Sequence, residues 1–298
     1  MKKIYVMTDL EGVAGVVDAD NWIYAQARYY DLAKDLLTSE VNAAVEGFLA
    51  AGVEEILVSD GHGPGAIFPH KLHPRALYQR GWDGWPLSLD KSFDAVAWVG
   101  QHAKAGTLRA HLAHTQSFAY ADFTINGVSV GEFGQFAMCA SELGVRAIFG
   151  AGDYAFTLEA QALVPGIETV WVKKGLQRAS GGELDVTAYA HHNTAACHLS
   201  PKFACERIRA GAERAVKRAR EEKFGLIPLK APVECTMVLR PDDKVPFKRS
   251  SRWSHASSVA GALNMPWSQD LQPLPRAAGP AEAQRRPSRA KHDKKRRH

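Results

Sequence analysis

The chain has only four cysteines in 298 residues. Cys139, Cys197, Cys205 and Cys235 stand far apart, with no C-x-x-C pair among them. That spacing excludes a zinc ribbon and a disulfide-stapled scaffold, and it reads as free thiols, buried or semi-buried. No segment approaches the ~20 uninterrupted apolar residues of a membrane-spanning helix. The first residues, Met1-Lys2-Lys3-Ile4-Tyr5, enter a strand pattern directly, without the apolar stretch and cleavage site of a secretory signal. A cytoplasmic location is therefore expected, with no membrane partner. There are no internal repeats.

A net basic charge is absent outside one place. Residues 285–298 hold Arg285, Arg286, Arg289, Lys291, Lys294, Lys295, Arg296 and Arg297 against the single acid Asp293. That segment carries +7 of a chain whose formal charge is +5, which leaves −2 for residues 1–284. The tail also lacks aromatic residues for base stacking, so a solvated terminus describes it better than a nucleic-acid contact.

What is present is an ordinary globular composition, 46% apolar, enough for one core of about 200–250 residues with an appendage. Residues 1–240 read as a single α/β domain, and 241–298 as a divergent, disordered basic tail, because no apolar period persists past Pro241. Three apolar runs stand out within the domain: Ile4–Thr8, Ile56–Ser59 and Ala95–Gly100. Each is short and bounded by turn residues, as buried parallel strands are. An amphipathic helix is expected over about 24–50, closed by Gly52, so the first two runs form a βαβ unit with right-handed crossover.

Further along, Asn126-Gly127 between alternating apolar residues marks a hairpin over 123–130. Helices are expected near 133–143, 154–163 and 201–222, and strands near 76–78, 146–149, 169–172 and 236–239. The fold class is α/β, a mostly parallel sheet with helices on both faces, a hairpin insertion and an irregular C-terminal end.

Chemistry collects just past the three runs, where open α/β sheets build their sites. Asp9 and Glu11 follow the first, two residues apart, and as strand-end neighbours would share a face. His62, in Asp60-Gly61-His62-Gly63, follows the second on a flexible turn that would leave its imidazole exposed. His102 follows the third. Close carboxylates repel unless a cation or proton lies between them. Mixed histidine and carboxylate ligands point to zinc, manganese or cobalt rather than calcium.

Each residue also has a plain reading: acids commonly follow strands, and lone histidines commonly serve loops or cores. Downstream, His111 and His114 lie three apart in an Ala/Leu setting that favours one functional histidine. Glu132 sits between glycines at a hairpin-to-helix junction, where a carboxylate also suits the helix dipole. His191, His192, Cys197 and His198 fit no metal cage and read as surface.

These motifs resemble the DppA-type zinc D-aminopeptidases, the family associated with bacterial dipeptide-transport operons. The matching stretches are Tyr5 to Gly15, Leu57 to Gly63, Leu72-His73-Pro74, Val99 to Ala105, Ala113-His114-Thr115, Ile125-Asn126-Gly127 and Val130 to Gly134, in family order and near-family spacing. The resemblance covers about residues 1–240. It implies a two-zinc site with Asp9, Glu11, His62, His102 and Glu132 as ligands and Asp9 as a bridge. It gives His114 the catalytic part, with either that imidazole or an activated water as nucleophile. It also implies cleavage of short peptides from a free N-terminus with a preference for D-residues such as D-Ala-D-Ala, and a ring-shaped homo-decamer.

Two other readings remain open on the residues. A haloacid-dehalogenase-like phosphatase would use Asp9 as nucleophile, although that motif wants Asp at position 11 and leaves three histidines unused. A catalytically impaired metal- or peptide-binding partner of a transport system would keep the ligands without hydrolysis.

Overall fold

The computed structural model describes residues 1–266 and 270–274. The three apolar runs become β1 (Lys3–Thr8), β2 (Glu55–Asp60) and β4 (Ala95–Gln101), and in the last every residue is buried. Between the first two lie the short helix α1 (Ala19–Trp22) and the long α2 (Tyr30–Ala50). The helix expected from residue 24 thus starts six residues later. Residues 24–29 are mostly exposed, so they bury no face that would hold them helical, and Tyr29 N–H bonds back to Asn21 O at 2.8 Å.

β3 (Ala76–Gln79) follows β2, and the hairpin is β5 (Tyr120–Ile125) with β6 (Val128–Ser129). Then come α3 (Glu132–Glu142), β7 (Arg146–Asp153), α4 (Tyr154–Leu163) and β8 (Glu168–Gly175). The elements α5 (Val186–Ala190), β9 (Ala196–His198), α6 (Pro201–Glu221) and β10 (Val233–Leu239) complete the expected domain.

The larger sheet has seven strands in the order β3-β2-β1-β4-β7-β8-β9. All neighbours are parallel except β9, which runs antiparallel to β8. β2, β1 and β4 are adjacent, so the three runs end side by side on one edge. The α2 and α6 helices pack on each other and on one face, with Phe48 edge-on to Phe149 at 5.8 Å. On the other face, α3 brings Phe133 and Phe136 against Trp98, and Phe156 of α4 packs edge-on to Phe133. Among the described residues, no helix is long and apolar enough to cross a membrane.

The hairpin is no loose insertion. It joins β10 in a second, antiparallel sheet, ordered β12-β11-β10-β5-β6, where β11 is Arg249–His255 and β12 is Gln272–Pro273. A five-residue helix α7 (Val259–Leu263) follows β11, and Val259, Ala262 and Leu263 are buried. The expectation of irregular chain from residue 241 is therefore corrected for the described part of that stretch. β11 is polar along its length, Arg-Ser-Ser-Arg-Trp-Ser-His, and its order comes from seven residue pairings to β10 rather than from any apolar alternation. The basic cluster at 285–298 lies outside the described residues.

Candidate metal centre

Three loops leave β1, β2 and β4 and fold onto one another. Asp9 N–H bonds to Val99 O at 3.0 Å, and Gly12 N–H to Gly100 O at 2.7 Å. The contact requires glycine on both sides. A Cβ on Gly12 would lie 2.1 Å from Gln101 O, and one on Gly100, whose φ is +80°, would lie 2.0 Å from Asp9 O. The lack of a side chain at both positions lets the backbones touch, and this closeness brings Asp9 to His102. Asp9 has already left the strand, so a turn, rather than strand alternation, sets Asp9 and Glu11 together.

The outcome is two groups of three ligand atoms, Asp9, Glu11 and His62 in one, His102, His114 and Glu132 in the other. Within each group the atoms lie within 4.8 Å of one another. The groups are in contact. His102 Nε2 stands 3.1 Å from Asp9 Oδ2 and 3.6 Å from Glu132 Oε1, and His62 Nε2 stands 3.6 Å from Glu11 Oε1. His114 Nε2 lies between the groups, 3.9 Å from Glu11 Oε1 and 3.8 Å from Glu132 Oε1, with its ring stacked on His102 at 3.9 Å. All five residues expected to ligate and the expected catalytic His114 are thus gathered in one place. His62 is buried rather than exposed, because its loop turns inward over Tyr30.

A ring of supporting contacts aims these atoms. His102 Nδ1–H donates to Ala103 O at 2.9 Å and His114 Nδ1–H to Leu112 O at 2.8 Å, which turns each Nε2 to the centre. Leu10 N–H and the Gln101 amide each donate to one oxygen of Asp9. Gln116 N–H donates to Glu132 Oε1 at 2.7 Å. The His62 loop is held from both ends. Asp60 accepts from Ala66 N–H and the Tyr78 hydroxyl, while Arg80 donates to the carbonyls of Asp60, His62 and Gly63.

The electrostatics of such a cluster are strongly coupled to its burial. Burial, with Glu11 alongside, pushes the Asp9 carboxyl up to about 7. Burial would also raise Glu11, but His62 and His114 overcome it and hold Glu11 well below the usual range. Burial works against the charged form of His102 as well, yet Glu132 and Asp9 raise it well above an ordinary imidazole. Burial and the neighbouring His102 lower His114, which favours its neutral form. Glu11 Oε2 and His102 Nε2 are buried without a hydrogen-bond partner. Buried polar atoms rarely stay unpaired. Three acids and three imidazoles with two orphaned donor atoms fit divalent cations of the zinc kind.

The other histidines go elsewhere. His111 turns away, its Nε2 on Val17 O at 2.9 Å, beside His198 and the buried Lys173. His191 pairs with Asp20 at the surface, His192 reaches Ala179 O, and His198 accepts from Gly15 N–H. All four cysteines are free; Cys139 and Cys235 are buried, and Cys197 is exposed. Arg80, Tyr30, Gln101 and Gln116 were not expected from the sequence. Only Gln101, directly before His102, carried a positional signal.

Residues 1–246 match the family described as D-aminopeptidase. A D-aminopeptidase of Bacillus subtilis (strain 168) is 32% identical over 183 residues, which spans 60% of this chain and 66% of that protein, just under two thirds of its length. A solved structure, titled the Zn-dependent D-aminopeptidase DppA from Bacillus subtilis, a self-compartmentalizing protease, superposes with a TM-score of 0.74 at 23% identity. It covers 88% of this chain and 94% of that one. This second likeness is one of fold.

Proposed function

The chain belongs to the D-aminopeptidase family, and from that membership we propose that it is a metal-dependent aminopeptidase. It would release N-terminal residues from short peptides, with preference for D-residues as in D-Ala-D-Ala. One observation carries the proposal. The six side chains converge in two adjoining triads, and Glu11 Oε2 of one and His102 Nε2 of the other are buried without a hydrogen-bond partner.

Two zinc ions per subunit fit those triads. Asp9, Glu11 and His62 would hold one, and His102 and Glu132 the other, with Asp9, whose Oδ2 lies 3.1 Å from His102 Nε2, shared as the family resemblance implies. Such a pair would supply Lewis-acid polarisation of the scissile carbonyl and activation of the attacking water. The protein's own groups do the rest. His114 has Nδ1 committed to Leu112 O and a lowered proton affinity, so Nε2 is free to take a proton and return it to the leaving amine. Glu132, the least buried of the acids, faces the cavities and suits the substrate's ammonium group. The self-compartmentalizing relative supports a homo-oligomeric ring, decameric as the family resemblance implies.

The experiment measures bound zinc and hydrolysis of D-Ala-D-Ala and L-Ala-L-Ala, for wild type, His102→Ala and His114→Ala. Wild type should hold close to two zinc ions per subunit and favour the D-peptide. His102→Ala should lose about one ion and with it turnover. His114→Ala should keep its metal and lose at least about 100-fold in kcat, the lower end of what a positioned acid–base group contributes. Loss of metal from His114→Ala would make that residue a ligand. Full turnover without His114, or no stoichiometric metal in wild type, would overturn the proposal.

A further inference from the structure

Two cavities with different linings meet at the metal centre, and both reach Asp9, Gly61, Gln116 and Glu132. One, of about 310 Å³, runs past Tyr24, Pro64 and Ser117. The other, of about 210 Å³, is walled by Trp82, Trp85, Leu87, Trp98 and Phe136. A single water needs about 10–15 Å³ of such space, so the smaller cavity has room for an organic side chain. Trp98 lies in its wall, and the buried indole N–H of that residue has no acceptor among the described residues. Apolar walls with a few polar groups beside a reactive centre are how ligand pockets are generally built.

The other wall is a loop held from within and from outside. Leu87 and Ser88 have φ of 59° and 66°, a region costly for residues with a Cβ, and the loop's own turns, Leu87 N–H to Gly84 O at 2.9 Å and Leu89 N–H to Pro86 O at 3.1 Å, are joined by two outside anchors. Tyr5 donates from its hydroxyl to Leu87 O at 2.6 Å. The second anchor comes from the far end of the chain. Asn264, at the C-terminus of α7, accepts from Trp85 N–H at 2.8 Å through Oδ1 and donates to Trp85 O at 2.8 Å through Nδ2. Both backbone hydrogen-bonding groups of Trp85 are therefore held by one carboxamide.

Gly84 allows the approach, since a Cβ there would sit 2.5 Å from Asn264 Oδ1. The α7 helix is docked in turn. Glu142 of α3 accepts from Val259 N–H and Ala260 N–H, and the Trp253 indole donates to Ala262 O at 2.9 Å. Asn264 lies beyond residue 246, where the family match ends.

We propose that the Trp82–Trp85–Leu87–Trp98–Phe136 cavity receives the apolar side chain of the substrate's N-terminal residue, and that Asn264 is the positioning residue that fixes its loop wall. The assignment rests on the aminopeptidase reading. A peptide carbonyl held at the metal centre places one flank of the substrate in each cavity. The smaller, aromatic one suits a single side chain, and the larger suits the rest of the peptide. A large apolar N-terminal residue then gains burial that alanine cannot.

The test uses the full zinc-loaded chain with D-Phe-D-Ala, D-Ala-D-Phe and D-Ala-D-Ala. Wild type should show a KM at least tenfold lower for D-Phe-D-Ala than for D-Ala-D-Ala, with no such gain for D-Ala-D-Phe. Asn264→Ala should raise the KM for D-Phe-D-Ala about tenfold with kcat changed less than twofold. The D-Phe-D-Ala to D-Ala-D-Ala ratio of kcat/KM should fall accordingly. Leu87→Trp, which narrows the cavity without touching the clamp, should reduce the same ratio and serves if Asn264→Ala fails to fold.

Binding of the non-hydrolysable D-phenylalaninol and D-alaninol, followed by tryptophan fluorescence, provides a readout free of turnover. Tighter binding of D-phenylalaninol that weakens in both variants, without hydrolysis of any dipeptide, would sink the peptidase reading and leave the pocket standing. Hydrolysis with selection for D-Ala-D-Phe, with no side-chain selection, or with a ratio unmoved in both variants would overturn the pocket.

Discussion

At the scale of residues, the metal centre does not exhaust the buried charge. Beneath the loop that carries Asp9 and Glu11, Lys173 of β8 is fully buried and donates to Val16 O at 3.0 Å. Glu40 of α2 accepts from Ala14 N–H at 2.9 Å, and Asp153 of β7 completes the set. Burial pushes the Glu40 carboxyl up to about 8, against the opposing pull of Ala14 N–H and Lys173.

The sign of the pH effect follows. A carboxyl whose folded value exceeds its unfolded value near 4.3–4.5 binds more protons when folded between those limits. Its stabilising contribution is therefore whole at low pH and is lost as pH rises. Against Glu40→Gln as reference, wild type should lose on the order of 2–4 kcal/mol of unfolding free energy between pH 5 and pH 8. Each pH unit over which only the folded carboxyl keeps its proton removes up to ~1.4 kcal/mol. Urea titrations of both proteins at the two pH values measure the difference. Parallel pH dependences would mean that Glu40 is ionised inside the fold. His111 belongs to this same layer, where burial and Lys173 lower its pKa to about 2, so it stays neutral.

At the scale of elements, the site depends on how closely three loops can pack. Gly12→Ala and Gly100→Ala each place a Cβ about 2 Å from a backbone carbonyl oxygen, and backbone cannot rotate away as a side chain can. Each should cost about 2–4 kcal/mol, in the range of overpacked or strained sites. Each should also lower zinc occupancy, because the displaced loops carry Asp9 and His102. Gly63→Ala is the control: nothing lies within 4 Å of its Cβ position, and it should change stability by less than about 0.5 kcal/mol. Thermal unfolding with metal analysis separates the three. A Gly12→Ala protein as stable and as zinc-rich as Gly63→Ala would mean that the loops have slack.

This packing also explains what could be read in advance. The proposed ligands Asp9, Glu11, His62 and His102 were legible because each follows an apolar run, and strand adjacency brings them together. Arg80, Tyr30 and Gln116 were not, because nothing local marks a side chain that crosses from another loop to hold a carbonyl or a carboxylate. The interior layer of Glu40, Asp153 and Lys173 was hidden for the same reason, its members coming from three separate elements.

At the scale of the whole molecule, the stretch after Leu239 is where reading by periodicity stopped and the fold did not. A strand such as Arg249–His255 carries no apolar alternation, and a helix of five residues is too short to show a period. Both are ordered by what they meet. β11 pairs along the length of β10, and α7 buries Val259, Ala262 and Leu263 against the aromatic face of the main sheet. Arg240, the first residue after β10, is fully buried. Its guanidinium lies 3.4 Å from the Tyr189 ring centroid and donates to Gly181 O and Leu184 O.

A chain ending at Leu239 would lose all of these contacts and expose one side of β10 as an unpaired edge, which invites association. Burial of Val259 and Leu263 alone contributes roughly 3–6 kcal/mol at ~1.5–3 kcal/mol per side chain. That is a large share of the ~5–15 kcal/mol that a domain has in total. The truncated protein should therefore aggregate on expression or melt at least ~10 °C below the full chain, by circular dichroism and sedimentation, even though every proposed ligand precedes residue 133. If it stays soluble with an unchanged midpoint, the stretch after Leu239 is an addition to a self-sufficient domain, and the Asn264 link to the Trp85 loop is then to be tested separately.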